Sequence, residues 1–528
     1  MKTLLLLLAL AGPVGFQEAL LTLSGASCVE ELSEDEMQRY QSLAAHPVDL
    51  NHAGRGRLLA TGLLTPYQVA SLLDYRTRTG DILSWSELAL VDGFSASFVE
   101  ALQVFAVLDV QRAVPGKRED RRLGLELTLR GSARPDGSIA GGGKLEANYG
   151  ERAQVFASLR NTLSEPKLSA PTLSAAYYGR QALGMVIVGH FNARFGQGLL
   201  QWSGFQLSGF STLGAFRKNG TGFSPTGSYS ASLLGVATQW HFGPWELSAA
   251  YSVPDRLPIV NLTRVWRSAT AGLTASSEGA SLEARLARPD WSLFGETAVR
   301  YDGKISALAG AYYIPAYGHR IGLLGRWYGR QDKRYSGAAA GYEGPAWAVT
   351  ADAGWRTDTG VAQYKALLRW HPTWTLRGMT LRPEMRLQAR LRPSDKTPLR
   401  LEGRAVLAAE RGPWLLTGRF DAVRCRDFAW QGYAELGRKT EKWALYLRGG
   451  LFRVDAWDDR IYVYERDAPG SFSSQARYGR GWTASLYGAW QLNRHHSLWL
   501  RLETVQYPWN TTKKPGRTEI RLQYRYRL

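Results

Sequence analysis

The last nine residues of the chain alternate between apolar and polar side chains. Successive side chains of a β-strand point to opposite faces, so this stretch has one apolar face and one basic face. The apolar face comprises Ile520, Leu522, Tyr524, Tyr526 and Leu528, and the opposite face comprises Arg521, Gln523, Arg525 and Arg527. A strand of this kind needs a different environment on each side along its whole length.

The same two-faced pattern recurs over residues 123–130 and over residues 381–392. Strands of about ten alternating residues, repeated along a chain and separated by turns, are the signature of transmembrane β-barrels. After the first dozen residues, no apolar run approaches the roughly 18 residues that a spanning helix needs. The sequence therefore predicts a mainly β fold, with a transmembrane antiparallel β-barrel over residues 121–528. At roughly 20 residues per strand and connection, this length corresponds to about 18–22 strands.

The first residues predict export from the cytoplasm. A lysine, an apolar run and the small-residue site Ala9-Leu10-Ala11 are typical of a secretory signal. We assign residues 1–28 to the signal peptide. An alternative is a lipoprotein site at Gly25-Ala26-Ser27-Cys28, although the leucine expected three residues before the cysteine is absent.

Residues 29–109 predict a small all-α domain ahead of the barrel. Two turn sequences stand out in it, Thr61-Gly62-Leu63-Leu64-Thr65-Pro66 and Val91-Asp92-Gly93-Phe94-Ser95, each leading into a helical pattern. With Pro47-Val48-Asp49-Leu50-Asn51 before them, these stretches resemble the tandem helix-hairpin-helix module of ComEA-like competence DNA receptors. The resemblance implies a periplasmic domain that grips phosphates with backbone amides at Gly62 and Gly93, with Arg76 and Arg78 as candidate nucleic-acid-binding side chains.

Two features of the domain argue against DNA binding. The family carries glycine on both sides of a hydrophobic residue in each hairpin, whereas this chain has Leu63 and Thr65 in the first hairpin and Ser95 in the second. Residues 30–109 also contain twelve acidic residues and five arginines, a formal charge of −7. Phosphate contacts from basic side chains supply most non-specific DNA affinity. The alternative is a docking module that keeps the fold and recruits a periplasmic protein.

Residues 110–120 read as a linker, and the barrel region that follows is strongly basic. The chain carries a net charge of +19, so the −7 of the helical domain leaves a large positive excess for the barrel. We predict that Arg382, Arg386, Arg390, Arg521, Arg525 and Arg527 face the lumen, where they would concentrate anions. The alternative is a ladder of ion pairs with Glu126, Glu283, Glu384 and Glu402, and we expect partial pairing with a net positive interior.

One segment interrupts the rhythm of strands and turns. Residues 195–230 are rich in glycine and aromatic residues, lack alternation and contain Arg217 and Lys218. Long loops in compact folds are usually functional or disordered, and the aromatic content argues against disorder. We predict an internal plug or constriction loop, with a folded extracellular loop as the alternative.

These observations predict transport rather than catalysis. We expect no catalytic, cofactor-binding or metal site and no cofactor, because the chain has two cysteines and no nucleophile or HExxH motif. The arrangement resembles helix-hairpin-helix outer-membrane proteins of Bacteroidota, which implies the outer membrane of a Gram-negative bacterium with the N-terminal domain in the periplasm. The predicted function is uptake of anionic solutes or DNA through the barrel. The alternative is a structural or assembly protein whose helical domain docks a periplasmic partner; outer-membrane lipid is expected as a partner in either case.

Overall fold

A computed structural model describes most of the chain. It covers residues 15–26, 28–109, 123–163, 167–179, 182–204, 210–228, 232–288, 290–316, 318–329, 334–510 and 514–528. The predicted linker and the first half of the predicted signal peptide lie outside the described residues.

The larger part of the chain forms a closed antiparallel barrel of 24 strands. Strands β1 to β24 span, in chain order, Leu123–Ala133, Ile139–Tyr149, Ala153–Arg160, Thr172–Tyr178, Leu183–Arg194, Leu233–Phe242, Trp245–Ser252, Leu257–Val265, Ala269–Ser276, Gly279–Ala287, Trp291–Arg300, Ile305–Tyr313, Arg320–Tyr328, Ser336–Glu343, Trp347–Trp355, Ala362–Trp370, Met379–Leu391, Leu399–Arg411, Trp414–Arg424, Phe428–Lys439, Trp443–Val454, Gly479–Gln491, His496–Gln506 and Arg517–Arg527. Two shorter strands pair with barrel strands near the rims, Gly222–Pro225 with the end of β5 and Trp374–Leu376 with the start of β17.

The barrel closes between its first and last strands. Strand β1 pairs antiparallel with β24, and Glu126 lies opposite Arg527 in that register. Closure satisfies the backbone groups of both edges, which a sheet within lipid requires. The predicted fold class is confirmed, but the strand number exceeds the predicted 18–22. Many connections are shorter than the assumed average, such as the two-residue turns at 243–244 and 277–278.

The two faces of the terminal strand lie as the alternation predicts. Ile520 and Leu522 are 47% and 48% exposed on the outer face, whereas Glu519 and Gln523 are buried on the inner face. Exposed aromatic residues also gather towards both ends of the outer wall, as in the interfacial girdles of membrane barrels. One group is Trp240, Phe242, Trp245, Trp266, Trp347, Trp374 and Trp414, and the other is Trp327, Trp355, Tyr364 and Phe428.

The barrel has a short-turn end and a long-loop end. Both ends of the barrel domain, Leu123 and Arg527, lie at the short-turn end with connections such as 150–152 and 412–413. The opposite end carries the two longest connections, residues 195–232 and 455–478. In membrane barrels of this type, short turns face the periplasm and longer loops face outward.

Residues 16–109, here called the helical region, form a compact unit of six α-helices. Helices α1 to α6 span Phe16–Ser24, Glu34–Ala45, Arg55–Ala60, Pro66–Thr79, Trp85–Leu88 and Ala96–Leu102. A 3₁₀ turn at Val29–Glu31 follows α1, and Val48–Asp49 pairs in parallel with Ala106–Val107. Helix α4 begins with a reciprocal capping box between Thr65 and Gln68, which satisfies backbone donors of its first turn. Among the described residues, no helix has both the length and the apolarity to cross a membrane.

The folded helical region begins earlier than the predicted domain boundary at residue 29. Helix α1 lies within the segment assigned to the signal peptide, yet Ala19 and Leu20 are fully buried in the same core as Leu58, Leu72 and Phe105. The apolar residues of α1 therefore belong to the hydrophobic core of the helical region.

The helical region lies inside the ring of strands. It contacts inward-facing side chains on widely separated strands, through His46 to Glu126 on β1, Arg55 to Glu246 on β7, and Glu30 to Arg404 on β18. The assignment of residues 29–109 to a separate periplasmic domain stays a prediction, whereas the described contacts place the helical region against the inner wall of the barrel. The formal charge of −7 on residues 30–109 complements the basic inner wall, which supplies the physical reason for this position.

Candidate functional site: the filled lumen

A network of buried charges joins the helical region to the wall at Glu30. The Glu30 carboxylate lies 3.3 Å from the guanidinium of Arg404 and also accepts a hydrogen bond from Arg419. Asp421 bridges the same two arginines, at 2.7 Å from each. Burial alone would raise the pKa of the Glu30 carboxyl, but Arg404 and Arg419 outweigh it and hold that pKa well below its usual range.

Cys28 and Glu31 contact a third arginine of the wall, Arg386. The Arg386 Nη1 donates to the Cys28 Sγ at 3.0 Å, and the Glu31 carboxylate lies 3.5 Å from Arg386 Nη2. Burial raises the pKa of the Cys28 thiol, so the neutral thiol is favoured. Cys28 is buried in the lumen, so this folded arrangement gives it no route to the lipid that a lipoprotein anchor would need.

Further ion pairs hold the helical region near the rim of the short-turn end. His46 Nε2 lies 2.9 Å from Glu126, and Arg57 Nε lies 2.9 Å from Glu151. On α3, Gly56 approaches the backbone of Gly184 so closely that an added Cβ would lie 2.5 Å from its carbonyl oxygen. This contact requires glycine at position 56 and positions α3 tightly against the wall.

The connection 195–232, here called the inward loop, enters the lumen from the long-loop end over its described residues 195–204 and 210–228. The backbone amides of Gln197 and Leu199 donate to the Glu296 carboxylate at 2.6 and 3.1 Å. The 3₁₀ turn Leu213–Phe216 packs against Phe294, Tyr312 and Leu324 of the wall, and the Tyr312 hydroxyl donates to the Leu213 carbonyl at 2.5 Å.

The inward loop also meets the helical region directly. The Thr212 hydroxyl donates to the backbone carbonyl of Gly25, and Gly25 and Gly214 touch through their backbones. The loop at 455–478 approaches the helical region too, since Tyr464 and Phe472 pack on its core. Chain segments from both ends of the barrel therefore fill the lumen.

The predicted loop cations lie against aromatic rings. The Arg217 guanidinium carbon is 5.6 Å from the ring centre of Tyr312, and Lys218 Nζ is 5.1 Å from that of Trp202. Burial, and repulsion from Arg334, lower the pKa of Lys218 to about 8.

Two rows of cations cross the inner wall on strands β16, β17 and β18. Lys365, Arg390 and Arg400 lie abreast in one row, and Arg369, Arg386 and Arg404 lie abreast in the other. Like charges placed directly opposite on neighbouring strands repel one another, so rows of this kind need compensating anions. The helical region supplies Glu30 and Glu31 to the second row.

A cavity of about 460 Å³ lies beside these rows. Its lining includes Arg386, Arg390, Arg392 and Arg400 from the wall, Cys28 and Glu30 from the helical region, and Arg460 from the 455–478 loop. The cavity is therefore bounded by the wall, the helical region and the 455–478 loop.

The predicted lumenal arginines differ in how they are paired. Arg382 lies 2.9 Å from Glu410, Arg386 contacts Cys28 and Glu31 as described, and Arg521 pairs with Asp467 and Glu519. Arg525 and Arg527 lie 3.1 and 2.9 Å from Glu126. For Arg390 the structure shows no hydrogen bond or ion pair of the side chain with any described residue.

The acidic residues of the predicted ladder differ in whether they form ion pairs. Glu384 pairs with Arg369 at 2.9 Å, and Glu402 pairs with Arg400 at 2.6 Å. Glu283 instead lies directly opposite Glu296 on the neighbouring strand. The ladder is therefore partial.

The predicted nucleic-acid-binding residues are separated by the fold. The turn after Gly62 is buried, with Leu63, Leu64 and Thr65 each at most 2% exposed, whereas Gly93 is exposed. Arg76 donates to the backbone carbonyl of Ala53 at 2.9 Å, and Arg78 pairs with Asp74 on its own helix. The first hairpin therefore presents no open amide surface in this arrangement.

Sequence reasoning missed several charged residues that join the wall to the segments inside the lumen. Lys365, Arg404 and Arg419 were not singled out, and Glu30 and Glu31 were counted only as acidic charge. Strand alternation places Arg404 and Arg419 on the polar faces of β18 and β19, and this signal was available. Among the described residues, no group of three or more His, Cys, Asp or Glu side chains is arranged to hold a metal ion.

No protein-family model matches the chain, and no curated protein matches it in sequence. Solved structures that align with it include three proteins of Pseudomonas aeruginosa, of which opdK is described as an outer membrane protein. OccK3 (OpdO) is 13% identical, with 77% of this chain and 95% of that chain covered and a TM-score of 0.34. The opdK structure is 12% identical, with 77% of this chain and 99% of that chain covered and a TM-score of 0.31. The OpdQ structure is 9% identical, with 78% of this chain and 99% of that chain covered and a TM-score of 0.34. At these identities and TM-scores the likeness carries no argument about function, and the barrel architecture rests on the strand register itself.

Proposed function

We propose that the protein is a gated outer-membrane channel for the uptake of small anionic solutes. The observation that carries this proposal is the pair of cation rows on β16 to β18 inside a membrane-spanning barrel. Four of the six side chains line the cavity, namely Arg386, Arg390, Arg400 and Arg404. Rings and rows of arginine and lysine select anions in pores. The signal sequence and the closed barrel support location in the outer membrane.

The filled lumen supports gating rather than an open pore. The helical region closes the barrel from the short-turn end, and the inward loop closes it from the other end. Passage requires at least one of them to move, and the contacts at Glu30 are the main electrostatic link between the helical region and the cation rows. Movement of the helical region away from the wall is the opening step that we propose.

Small solutes are favoured over DNA as the cargo. A cavity of about 460 Å³ falls within the range of small-molecule sites, which is about 300–1,000 Å³. The burial of the first hairpin also removes half of the phosphate-binding surface that the ComEA-like resemblance implies.

Conductance of the purified full-length protein in planar bilayers tests this proposal. We expect infrequent openings with anion selectivity in a salt gradient, and more frequent openings for Glu30→Gln, which weakens the link to Arg404 and Arg419. Arg382→Gln is a matched wall variant, since Arg382 pairs with Glu410 and lines no part of the cavity. A cation-selective pore would overturn anion uptake, and silence of the wild type and of Glu30→Gln alike would overturn the channel.

One observation favours the second candidate function, docking of a periplasmic partner. Leu83 and Leu90 are 68% and 83% exposed on either side of α5. Isolated exposed leucines are common, and here two of them lie close in sequence to a partly buried Trp85. Crosslinking from positions 83 and 90 in intact cells tests this role, and the absence of any crosslinked protein at both positions would count against it.

A further inference from the structure

We propose that the cavity beside Arg390 is a binding site for a small dicarboxylate. This proposal rests on the proposed channel function and names its substrate class. It arises from the register of three strands and from the pairing of each charged group around the cavity.

The first cation row carries two charges that no carboxylate compensates directly. Arg400 pairs with Glu402 at 2.6 Å. Lys365 donates to the hydroxyl of Ser211 on the inward loop, a neutral partner. The Arg390 side chain lies between them in the register and forms no hydrogen bond or ion pair with the residues that the structure describes.

The carboxylates that line the cavity do not neutralise the charges of Lys365 and Arg390. They are Glu30, Glu31, Asp395, Glu402, Asp421 and Asp458. The first five lie within 4.0 Å of an arginine nitrogen, and Asp458 is exposed. In addition, the Nε of Arg386, a residue only 7% exposed, lacks a hydrogen-bond partner. Unused guanidinium donors therefore face the cavity, whereas its carboxylates are already engaged.

The spacing of the row favours two separated carboxylates over one compact anion. Neighbouring strands lie about 4.8 Å apart, so Lys365 and Arg400 are about two such spacings apart, with Arg390 midway. A single phosphate reaches one or two of these groups. A short chain with a carboxylate at each end spans from Arg390 to Arg400, the neighbour in the row that also lines the cavity. Guanidinium groups bind carboxylates through paired hydrogen bonds.

Isothermal titration calorimetry of the full-length protein in detergent, with succinate as the probe, tests the site. We expect saturable binding that weakens with salt, and an affinity at least roughly tenfold lower for butyrate, which has one carboxylate. Arg390→Gln should lower succinate affinity by about tenfold or more, because a charge-assisted hydrogen bond is lost. Arg382→Gln, on the same strand but paired with Glu410, should bind as the wild type does.

The remaining outcomes overturn either the site or the channel. Absence of succinate binding by the wild type, or equal affinities of the Arg390→Gln and Arg382→Gln variants, would remove Arg390 from any ligand site. Inorganic phosphate binding as tightly as succinate would contradict recognition by separated carboxylates. Anion-selective conductance without succinate binding would refute the site and leave the channel standing, whereas succinate binding without conductance would refute the channel and leave the site. Unchanged heat-modifiable migration of each variant on gels controls for folding.

Discussion

The carboxylate of Glu30 accepts a hydrogen bond from the guanidinium of Arg419, so the start of the helical region is tied to strand β19, 389 residues later in the chain. Both side chains are at most 7% exposed, and Asp421 and Arg404 complete a network of four charges. The electrostatic state of this network determines how firmly the helical region is held in the lumen.

Replacing Glu30 with glutamine should loosen the helical region. Removing one member of a buried ion pair leaves the remaining charges uncompensated, at a typical cost of roughly 3–5 kcal/mol. We expect faster proteolysis within residues 16–109 and more frequent channel openings, with the barrel itself intact. Asp92→Asn, at an exposed position of the helical region, is the control and should match the wild type. Equal proteolysis rates for all three proteins would show that Glu30 does not hold the helical region.

The ionised carboxylate of Glu30 should continue to stabilise the folded state under mild acidification. A carboxyl whose pKa is lowered by folding stabilises the folded state above its unfolded pKa of about 4.3, and that contribution is lost as pH falls through the lowered value. We therefore expect no change in opening frequency from Glu30 between pH 8 and pH 5, and an increase on stronger acidification. The Glu30→Gln variant should lack this acid response. An increase between pH 8 and pH 5 that the variant abolishes would contradict the pairing with Arg404 and Arg419.

The two faces of β24 should respond differently to substitution. Leu522→Arg places a charge towards lipid, which costs roughly 2–4 kcal/mol near the midplane of the bilayer. Arg521→Leu should impair assembly less, because its partner Asp467 remains paired with Arg501 at 3.0 Å. The fraction of heat-modifiable barrel in the membrane measures both effects, and equal losses would mean that the assignment of faces is wrong.

The full-length protein should bind duplex DNA weakly or not at all. The first hairpin is buried, and the acidic helical region repels a polyanion most strongly at low salt. Fluorescence anisotropy with a short duplex across a salt series measures this. Sub-micromolar affinity that falls steeply with salt, and falls further with Arg78→Ala, would restore DNA as the cargo.

The barrel was predictable because its pattern is local. The alternation at residues 520–528 depends only on neighbouring positions, and it correctly assigns Leu522 to the lipid face and Gln523 to the lumen. The strand number was underestimated because two-residue turns, such as 277–278, leave little signal in the sequence. The position of the helical region was not predictable in the same way. It depends on pairs such as Glu30 with Arg419, and nothing in the local sequence around either residue identifies the other.

The helical region supplies the barrel with its own counter-ions. Arg386 and Arg419 are buried in the wall, the side chain of Arg404 is 14% exposed, and the carboxylates of Glu30 and Glu31 neutralise part of their charge. A barrel without residues 16–109 would expose these guanidinium groups to water and would leave them without their fixed counter-ions. Truncation therefore removes the counter-ions together with the closure. In an open state, the carboxylates must leave the wall as other anions arrive, so that release of the helical region and entry of an anion become a single exchange of charge.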